Sequence, residues 1–233
     1  MLFCLVKVTN YNLLQKNIKR IKLTDSCILI PAIKKNVAFP DDVIKKLAGH
    51  TLLDRAIDKA ITLVDRKNII VLTDSQEITQ HCAYKCLSCS YDEKIEFSFH
   101  SISLKLKRDF SHIIESYSYF INLSVYAPLL DASIIQAALS YLKLSGKNFL
   151  QPVIPYKCST FSYQRNSEDI VFNKPEQEIH VVSKAFDIIS GSALFKKNNE
   201  QLTGVPYLLP NSVFEITSHH DWWVCEKIIQ SKK

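Results

Sequence analysis

The chain alternates short, unbroken apolar runs with stretches whose apolar residues recur every three or four positions. Cys27 to Ala32 is a continuous apolar run of strand length, the pattern of a strand buried on both faces of a parallel sheet. A loop follows from Ile33 to Asp42. Thr51-Leu52-Leu53-Asp54 then opens a segment in which Leu52, Leu53, Ala56, Ile57, Ala60, Ile61 and Val64 keep helical spacing. Asn68 to Leu72 predicts a second buried strand, and Ser75 to Tyr84 a second helix with Asp74 or Ser75 as N-cap. The pattern returns with a strand over Tyr119 to Leu123, a helix over Asp131 to Leu144 closed by Gly146, and a strand over Phe149 to Ile154. Ile188 to Phe195 and Val213 to Ile216 read as the last strands. Asp221 to Gln230 reads as a closing helix capped by Ser218.

Less regular segments punctuate this series. Residues 1–25 form an N-terminal appendage, in which LFCLVKV has the character of a short strand and YNLLQKNIKRIK that of a basic helix. Ser101 to Phe110 is basic and reads as a solvated connection, with the option of touching an acidic substrate. Thr160 to Val182 is more polar and reads as a hairpin or an excursion toward a partner subunit. Strand, helix, strand, helix at this spacing predicts βαβ units, hence a three-layer α/β domain over residues 26–233 with a mostly parallel sheet. Ligands in such sheets bind at the carboxyl ends of strands where the strand order reverses. The loop after Ala32 and the turns after Leu72 and Leu123 are therefore the places to look for a site.

Composition narrows the options. The 233 residues are 47% hydrophobic and 22% charged, enough apolar material for a substantial core. No apolar stretch approaches ~20 residues, so no membrane span is expected. The apolar N-terminus lacks the flanks of a signal peptide, and a cytoplasmic location is expected. Seven cysteines, an odd number, fit buried free thiols in that compartment. The net charge of +6 favours anionic ligands, but the lysines are dispersed and no nucleic-acid stripe is indicated. Four glycines leave no room for a glycine-rich phosphate loop.

Residues 28–52 read ILIPAIKKNVAFPDDVIKKLAGHTL. This resembles the N-terminal signature of the cytidylyltransferases that make CMP-activated sugar acids, the sialic-acid and 3-deoxy-octulosonate synthetases. Their pattern runs I-P-A-R, a loop with a Ser-Lys pair, hydrophobic-Pro-Gly-Lys-Asn, then L-A-G-K-P-L. Ile30-Pro31-Ala32, Pro40 and Leu47-Ala48-Gly49 fall in register with it. VLTDSQEI from Val71 is similar to the family's V-S-T-D-S-E-E-I, LSVYAPL from Leu123 to its L-Q-P-T-S-P-L, Gly191 to Phe195 to its N-G-A-I-Y strand, and FEITSHHDWWVCE from Phe214 to its terminal I-D-I-D-T-E-E-D. The resemblance spans about residues 27–230. It implies a Rossmann-like nucleotide-diphospho-sugar transferase fold, transfer of a nucleotidyl group from CTP to a sugar acid, a Mg²⁺ cofactor, and a homodimer formed through about residues 156–186.

Nucleotidyl transfer builds charge on phosphate oxygens, so catalysis is mostly electrostatic. Several positions the resemblance implies for that work are altered. The arginine after I-P-A is Ile33, and the Ser-Lys pair falls on Asn36 and Val37. Gly-Lys after Pro40 becomes Asp41-Asp42, reversing the charge where a triphosphate would lie. Two carboxylates within ~5 Å of a phosphate cost several kcal/mol in a poorly solvated site. The glutamine of L-Q-P-T-S-P is Ser124. The terminal Asp-x-Asp is Glu215 and Thr217, leaving one carboxylate where two would clamp Mg²⁺. Lys34 and Lys35 are placed to substitute for the lost arginine as point charges, without its bidentate fork. The candidates are thus Lys34 and Lys35 for catalysis, Pro31, Ala32, Ile33, Asn36, Asp74 and Ser124 for the nucleotide, and Glu215 with Asp221 for Mg²⁺. Two readings follow. One is a cytidylyltransferase with a degraded signature. The other is a non-catalytic module that binds a nucleotide sugar in surface-polysaccharide biosynthesis.

Two other patterns carry chemistry. Cys82, Cys86 and Cys89, beside His81, have the C-x3-C-x2-C spacing that can hold an iron–sulfur cluster, but Cys82 falls within the helical pattern that begins at Ser75. His219-His220-Asp221 invites a metal reading, against which stands an ordinary helix N-terminus with its acidic first turn. Trp222 and Trp223 read as core and interface aromatics.

Overall fold

The computed structural model describes residues 22–35, 42–94, 98–114, 116–158, 161–163, 170–172, 177–195, 202–210 and 212–232. The strand and helix expected before residue 22 lie outside these residues, as do Asn36, Val37, Pro40 and Asp41.

The apolar run becomes strand β1 (Ser26–Ala32), whose side chains alternate between two buried faces. The helical spacing after it gives α1 (Leu52–Leu63), preceded by the two-residue strands β2 (Lys46–Leu47) and β3 (His50–Thr51). Thr51 caps α1 by accepting the Asp54 N–H at 2.9 Å, which satisfies one of the helix's orphan donors. Strand β4 (Ile69–Thr73) and helix α2 (Gln76–Tyr84) follow as expected, then β5 (Ser88–Tyr91). Beyond helix α3 (Phe99–Ile114) lie β6 (Tyr119–Leu123) and α4 (Ala132–Ser145). Asp131 caps α4 at its start, accepting the Ser133 N–H at 2.7 Å, and Gly146 ends it at φ +65°, a left-handed position glycine takes without steric cost.

Strand β7 (Phe149–Cys158), the short pair β8 (Phe161–Tyr163) and β9 (Ile170–Phe172), β10 (Gln177–Val182) and β11 (Phe186–Ser190) make the second half. A one-turn helix α5 (Gly191–Leu194), strand β12 (Gly204–Leu208) and helix α6 (His219–Ser231) complete the chain. The eight-stranded sheet is mixed but mostly parallel at its centre. Strand β1 pairs parallel with β4 on one side and β6 on the other, and β4 pairs parallel with β5. Strand β11 enters antiparallel between β6 and β7. Strand β10 pairs with the second half of β7, and β12 lies parallel to its first half. Of the stretch 160–182, the described residues form β8, β9 and β10, with β8 and β9 paired antiparallel.

The sheet separates two cores. Leu53, Ile57, Ile78, Ile135, Leu139 and Cys225 pack on one face through α1, α2, α4 and α6; Leu29, Leu72, Ile102, Leu106, Phe120 and Leu194 pack on the other through α3 and α5. The layers make a Rossmann-like α/β fold, as the strand–helix rhythm required. No helix among the described residues is long and apolar enough to cross a membrane.

Four expectations are corrected. Ser101 to Phe110 is not a connection but the body of α3, kinked at Phe110; Ile102 and Leu106, one helical turn apart, are buried, and Lys105 is buried in an ion pair with Asp92. The stretch Ile188 to Phe195 is not one strand. Strand β11 stops at Ser190, whose hydroxyl accepts the Ala193 N–H and starts α5. Val213 to Ile216 forms no strand; the last strand is β12, whose Gly204 and Pro206 read as breakers but sit where β12 pairs with β7 alone, the place proline is tolerated in sheets. Finally, Asp74 does not cap α2, and no side chain does.

Gly191 stands where β11 turns into α5. A Cβ built there meets the Tyr117 carbonyl oxygen at 2.7 Å, backbone that cannot rotate aside. Gly191→Ala is expected to cost about 1–3 kcal/mol, as overpacking against a fixed neighbour does. Urea denaturation should show the loss as a lower midpoint with an unchanged slope.

Candidate functional site

The chain leaves β1 for β4 on one side and later returns to β6 on the other, so the strand order reverses at β1. The crevice outside the carboxyl end of β1 is where such a sheet receives a ligand. Pro31 and Ile33 are half-buried there and Ala32 is fully buried. The Thr73 hydroxyl donates to the Ala32 carbonyl at 2.7 Å, joining the ends of β1 and β4.

Asp74 follows at once. Its carboxylate accepts the backbone N–H of Lys34 at 2.8 Å through Oδ1 and that of Lys35 at 3.1 Å through Oδ2. A buried carboxylate (6% exposed) needs such donors, and here they are the two amides that lead into the first loop. The side chains of those lysines run to carboxylates: Lys34 Nζ to Glu77 at 2.6 Å and Lys35 Nζ to Glu93 at 3.2 Å. The two candidate phosphate contacts are thus gathered at one spot, each already paired.

A second network forms beyond β6. Ser124 donates its N–H to the Ala185 carbonyl at 3.0 Å, and its hydroxyl accepts the Tyr126 N–H at 3.2 Å. The Tyr126 carbonyl accepts the Ile216 N–H at 2.9 Å, and its hydroxyl donates to Asp42 Oδ1 at 3.1 Å. Neighbouring Glu215 accepts the Ser183 hydroxyl and, through both oxygens, the Lys184 N–H at 3.1 and 3.2 Å. Ser124 and Glu215 are therefore brought together through Tyr126 and the turn before β11. Asp221 is held elsewhere: it accepts the Thr217 N–H at 2.9 Å and hydroxyl at 2.7 Å, and those bonds lower its pKa. Asp221 and Ser218 thereby form the start of α6, and His220 stacks on Trp223.

The residues named for Mg²⁺ do not make a ready site. Glu215 and Asp221 each serve local backbone, and among the described residues no three histidine, cysteine, aspartate or glutamate side chains are grouped to hold a metal. Of the cysteine triplet, Cys82, buried on α2, and Cys89, half-buried on β5, share a thiol hydrogen bond, while Cys86 is exposed in the turn between them.

Asp42, expected to bring negative charge to the loop after Pro40, is instead buried against Tyr126, and Lys59, Asn122 and Asp187 are polar groups that carry no motif. Asp42, 2% exposed, is shifted upward in pKa by burial, and its Oδ2 has no partner. Lys59 donates to the Ala127 carbonyl at 2.7 Å, and burial pushes its pKa down to about 8. Asn122 and Asp187 face one another across β6 and β11, with Asn122 Nδ2 donating to Asp187 Oδ2 at 3.1 Å. Each is a polar residue inside an apolar strand, YFINL and FDIIS, which is the signal that could have found them.

Burial raises the Asp187 pKa to about 6, partly offset by the Asn122 hydrogen bond. A carboxyl whose pKa is higher in the fold than in the unfolded chain favours folding below its unfolded value near 3.8. That contribution is lost as pH rises through 6. With partial exposure discounted, the cost above pH 6 is about 1–2 kcal/mol. Asp187→Asn should therefore match the parent near pH 4 and gain on it by that amount at pH 8, measured by chemical denaturation at both pH values.

Comparison with known proteins agrees with this geometry. Residues 27–200 match the profile of the cytidylyltransferase family. No curated protein sequence matches the chain. Among solved structures, the fold is similar to CMP:2-keto-3-deoxy-manno-octonic acid synthetase complexed with CTP, at TM-score 0.65 and 10% identity, covering 90% of this chain and 100% of that one. It is also similar to 4-diphosphocytidyl-2C-methyl-D-erythritol synthase from Anaerococcus prevotii DSM 20548, at TM-score 0.62 and 11% identity, covering 89% and 96%. At such identities the likeness speaks for the fold. The family profile spans well over half of the chain, and with it the end of β1, Asp74 and the turn after β6: the chain belongs to the cytidylyltransferase family.

Proposed function

We propose that the crevice over β1, β4 and β6 binds CTP and transfers its cytidylyl group to a hydroxyl of a sugar acid, releasing pyrophosphate. The observation that carries this reading is the pair of hydrogen bonds that the Lys34 and Lys35 amides donate to the Asp74 carboxylate. It ties Lys34 and Lys35, where the first loop begins, to the carboxyl end of β4, where a family member would hold the triphosphate. Pro31, Ala32, Ile33 and Asn36 would border the nucleotide, and Ser124 would face it from β6.

In this reading Lys34 and Lys35 exchange their carboxylate partners for phosphate oxygens. Both pairs are solvent-accessible, and such pairs hold by ~1 kcal/mol or less, so a triphosphate can compete for them. The chemistry asked of the protein is charge stabilisation as pyrophosphate leaves. Glu215 and Asp221 remain the candidates for contact with Mg²⁺ carried in on the triphosphate, and no step is assigned to that ion.

One observation favours a second reading, a non-catalytic nucleotide-sugar-binding module in surface-polysaccharide biosynthesis. Each charged candidate is already occupied: Lys34 by Glu77, Lys35 by Glu93, Glu215 by Ser183 and Lys184, Asp221 by Thr217. For the quaternary state we propose a homodimer through the arm of β7 and β10, where Tyr156, Ile179, Val181 and Val182 are exposed apolar side chains.

Nucleotide binding to the folded state raises the melting temperature by mass action, by about 2.7 kcal/mol of stabilisation at a hundredfold excess over Kd. CTP at millimolar concentration is expected to shift the melting curve, and Asp74→Ala to weaken that effect at least about tenfold by freeing the loop. Absence of a shift with CTP or CMP, with and without Mg²⁺, would remove both readings. Pyrophosphate release on a panel of sugar acids separates enzyme from binding module.

A further inference from the structure

Helix α2 and strand β5 are joined by Lys85, Cys86 and Leu87 alone. The turn is tight. The Cys86 N–H donates to the Ala83 carbonyl and the Leu87 N–H to the Cys82 carbonyl, each at 3.0 Å, and Cys86 takes a left-handed φ of +53°. The chain doubles back, and β5 runs beside β4 with Cys89 level with Val71. Cys82, near the end of α2, is thereby set against Cys89 on β5, and the two thiols share a hydrogen bond. The Cys89 thiol also donates to the Thr79 hydroxyl on α2, at 3.8 Å.

A buried cysteine is often only a small hydrophobe, and Cys27 and Cys225 fit that account. Burial pushes the Cys27 thiol above its usual range and that of Cys225 up to about 11, so neither ionises readily and both are poor nucleophiles. The Cys82–Cys89 pair differs. Its sulfurs are already partnered with each other. Cys82 is sealed in the core, whereas Cys89 is only half-buried. The hydrogen bond from Cys82, with a smaller effect from Thr79, outweighs burial and brings the Cys89 pKa down to about 7. The same bond, together with burial, raises that of Cys82. One thiol is suited to attack and its neighbour to resolve the product.

We propose that Cys82 and Cys89 form a redox-sensitive dithiol, which hydrogen peroxide closes to a disulfide between α2 and β5. In the first step the Cys89 thiolate attacks a peroxide oxygen. The S–O bond forms, the O–O bond breaks, and the departing hydroxide takes the proton Cys89 released and leaves as water. In the second step the Cys82 sulfur attacks the Cys89 sulfur. The S–S bond forms, the S–O bond breaks, and hydroxide leaves with the Cys82 proton as a second water. The two thiols give up two electrons and the peroxide accepts both. The bond joins the two segments that hold the lysine partners: Glu77 stands in the first turn of α2, and Glu93 lies just beyond β5. The dithiol stands apart from the cytidylyl-transfer reading and needs no nucleotide.

The test is to treat the reduced whole chain with an equimolar amount of hydrogen peroxide, alkylate the remaining thiols, digest with trypsin and map the peptides by mass spectrometry. Cleavage after Lys67, Lys85 and Lys94 separates Cys82 from Cys86 and Cys89. The expected product is peptide 68–85 linked to peptide 86–94 with the loss of two hydrogens and with Cys86 alkylated. Dithiothreitol added before alkylation should abolish it by exchange. Cys86→Ser should leave the link unchanged. Cys82→Ser should stop oxidation at a Cys89 sulfenic acid that dimedone traps, and Cys89→Ser should leave Cys82 reduced. A first disulfide at any other pair of cysteines, or oxidation of Cys86 while Cys82 and Cys89 stay alkylatable, would overturn the proposal. So would a parent chain whose thiols all survive the peroxide. The parent map needs no variant and decides the matter even where Cys82→Ser folds poorly.

Discussion

The carboxylate of Asp74 is the constraint on which the ligand end of the sheet depends. A chain that leaves a buried parallel strand must turn at once, and its first amides lose the sheet partners that satisfied them. In this protein the amides of Lys34 and Lys35 find both oxygens of a side chain presented by the next parallel strand. The consequence runs in two directions. The loop is tied to β4, so its lysines emerge beside α2 and reach Glu77 and Glu93. Helix α2 gives up the side-chain cap that Asp74 or Ser75 was expected to supply. One local hydrogen bond at a helix end is exchanged for two that connect segments forty residues apart.

That exchange decides how the site handles charge. The chain is basic overall, yet at the end of β1 Lys34 and Lys35 are each matched by a carboxylate on a neighbouring element. A site arranged this way does not present bare positive charge to solvent. Its two lysines at the end of β1 are neutralised by Glu77 and Glu93. Exposed pairs of this kind are weak, so the pairing of these lysines is open to exchange. Buried charge behaves otherwise: Asp42 and Asp187 are shifted toward the neutral form by burial, and Lys59 likewise in the opposite sense.

Much of the fold was legible because the periodicities are strong where burial is complete. The segments over β1, α1, β4, α2, β6 and α4 are hydrophobic on the faces the sheet and helices bury, and their ends carry recognisable caps in Thr51, Asp131 and Gly146. Helix α3 was hidden because Lys105, Lys107 and Arg108 mask a stripe of apolar residues, and Lys105 is buried by pairing with Asp92, a partner no local pattern reveals. Strand β12 was hidden by Gly204 and Pro206, residues tolerated only because of its place beside β7. At the site, Pro31, Ala32, Asp74 and Ser124 were found by their position at strand ends. The partners of Asp74, Glu215 and Asp187 were not, since each depends on a contact between distant segments.

This division follows from how the sheet is built. The nucleotide side of the crevice is made by β1 and β4, consecutive parallel strands joined by one helix, and its determinants are close in sequence. The opposite side is made by β11 inserting antiparallel between β6 and β7, which carries Asp187 against Asn122 and sets the preceding turn against Glu215. The first side is therefore readable as a local motif, while the second is assembled from segments distant in sequence. The antiparallel insertion of β11, paired to both β6 and β7 and ending where Gly191 approaches the Tyr117 carbonyl, is the architectural device that sets the two sides apart.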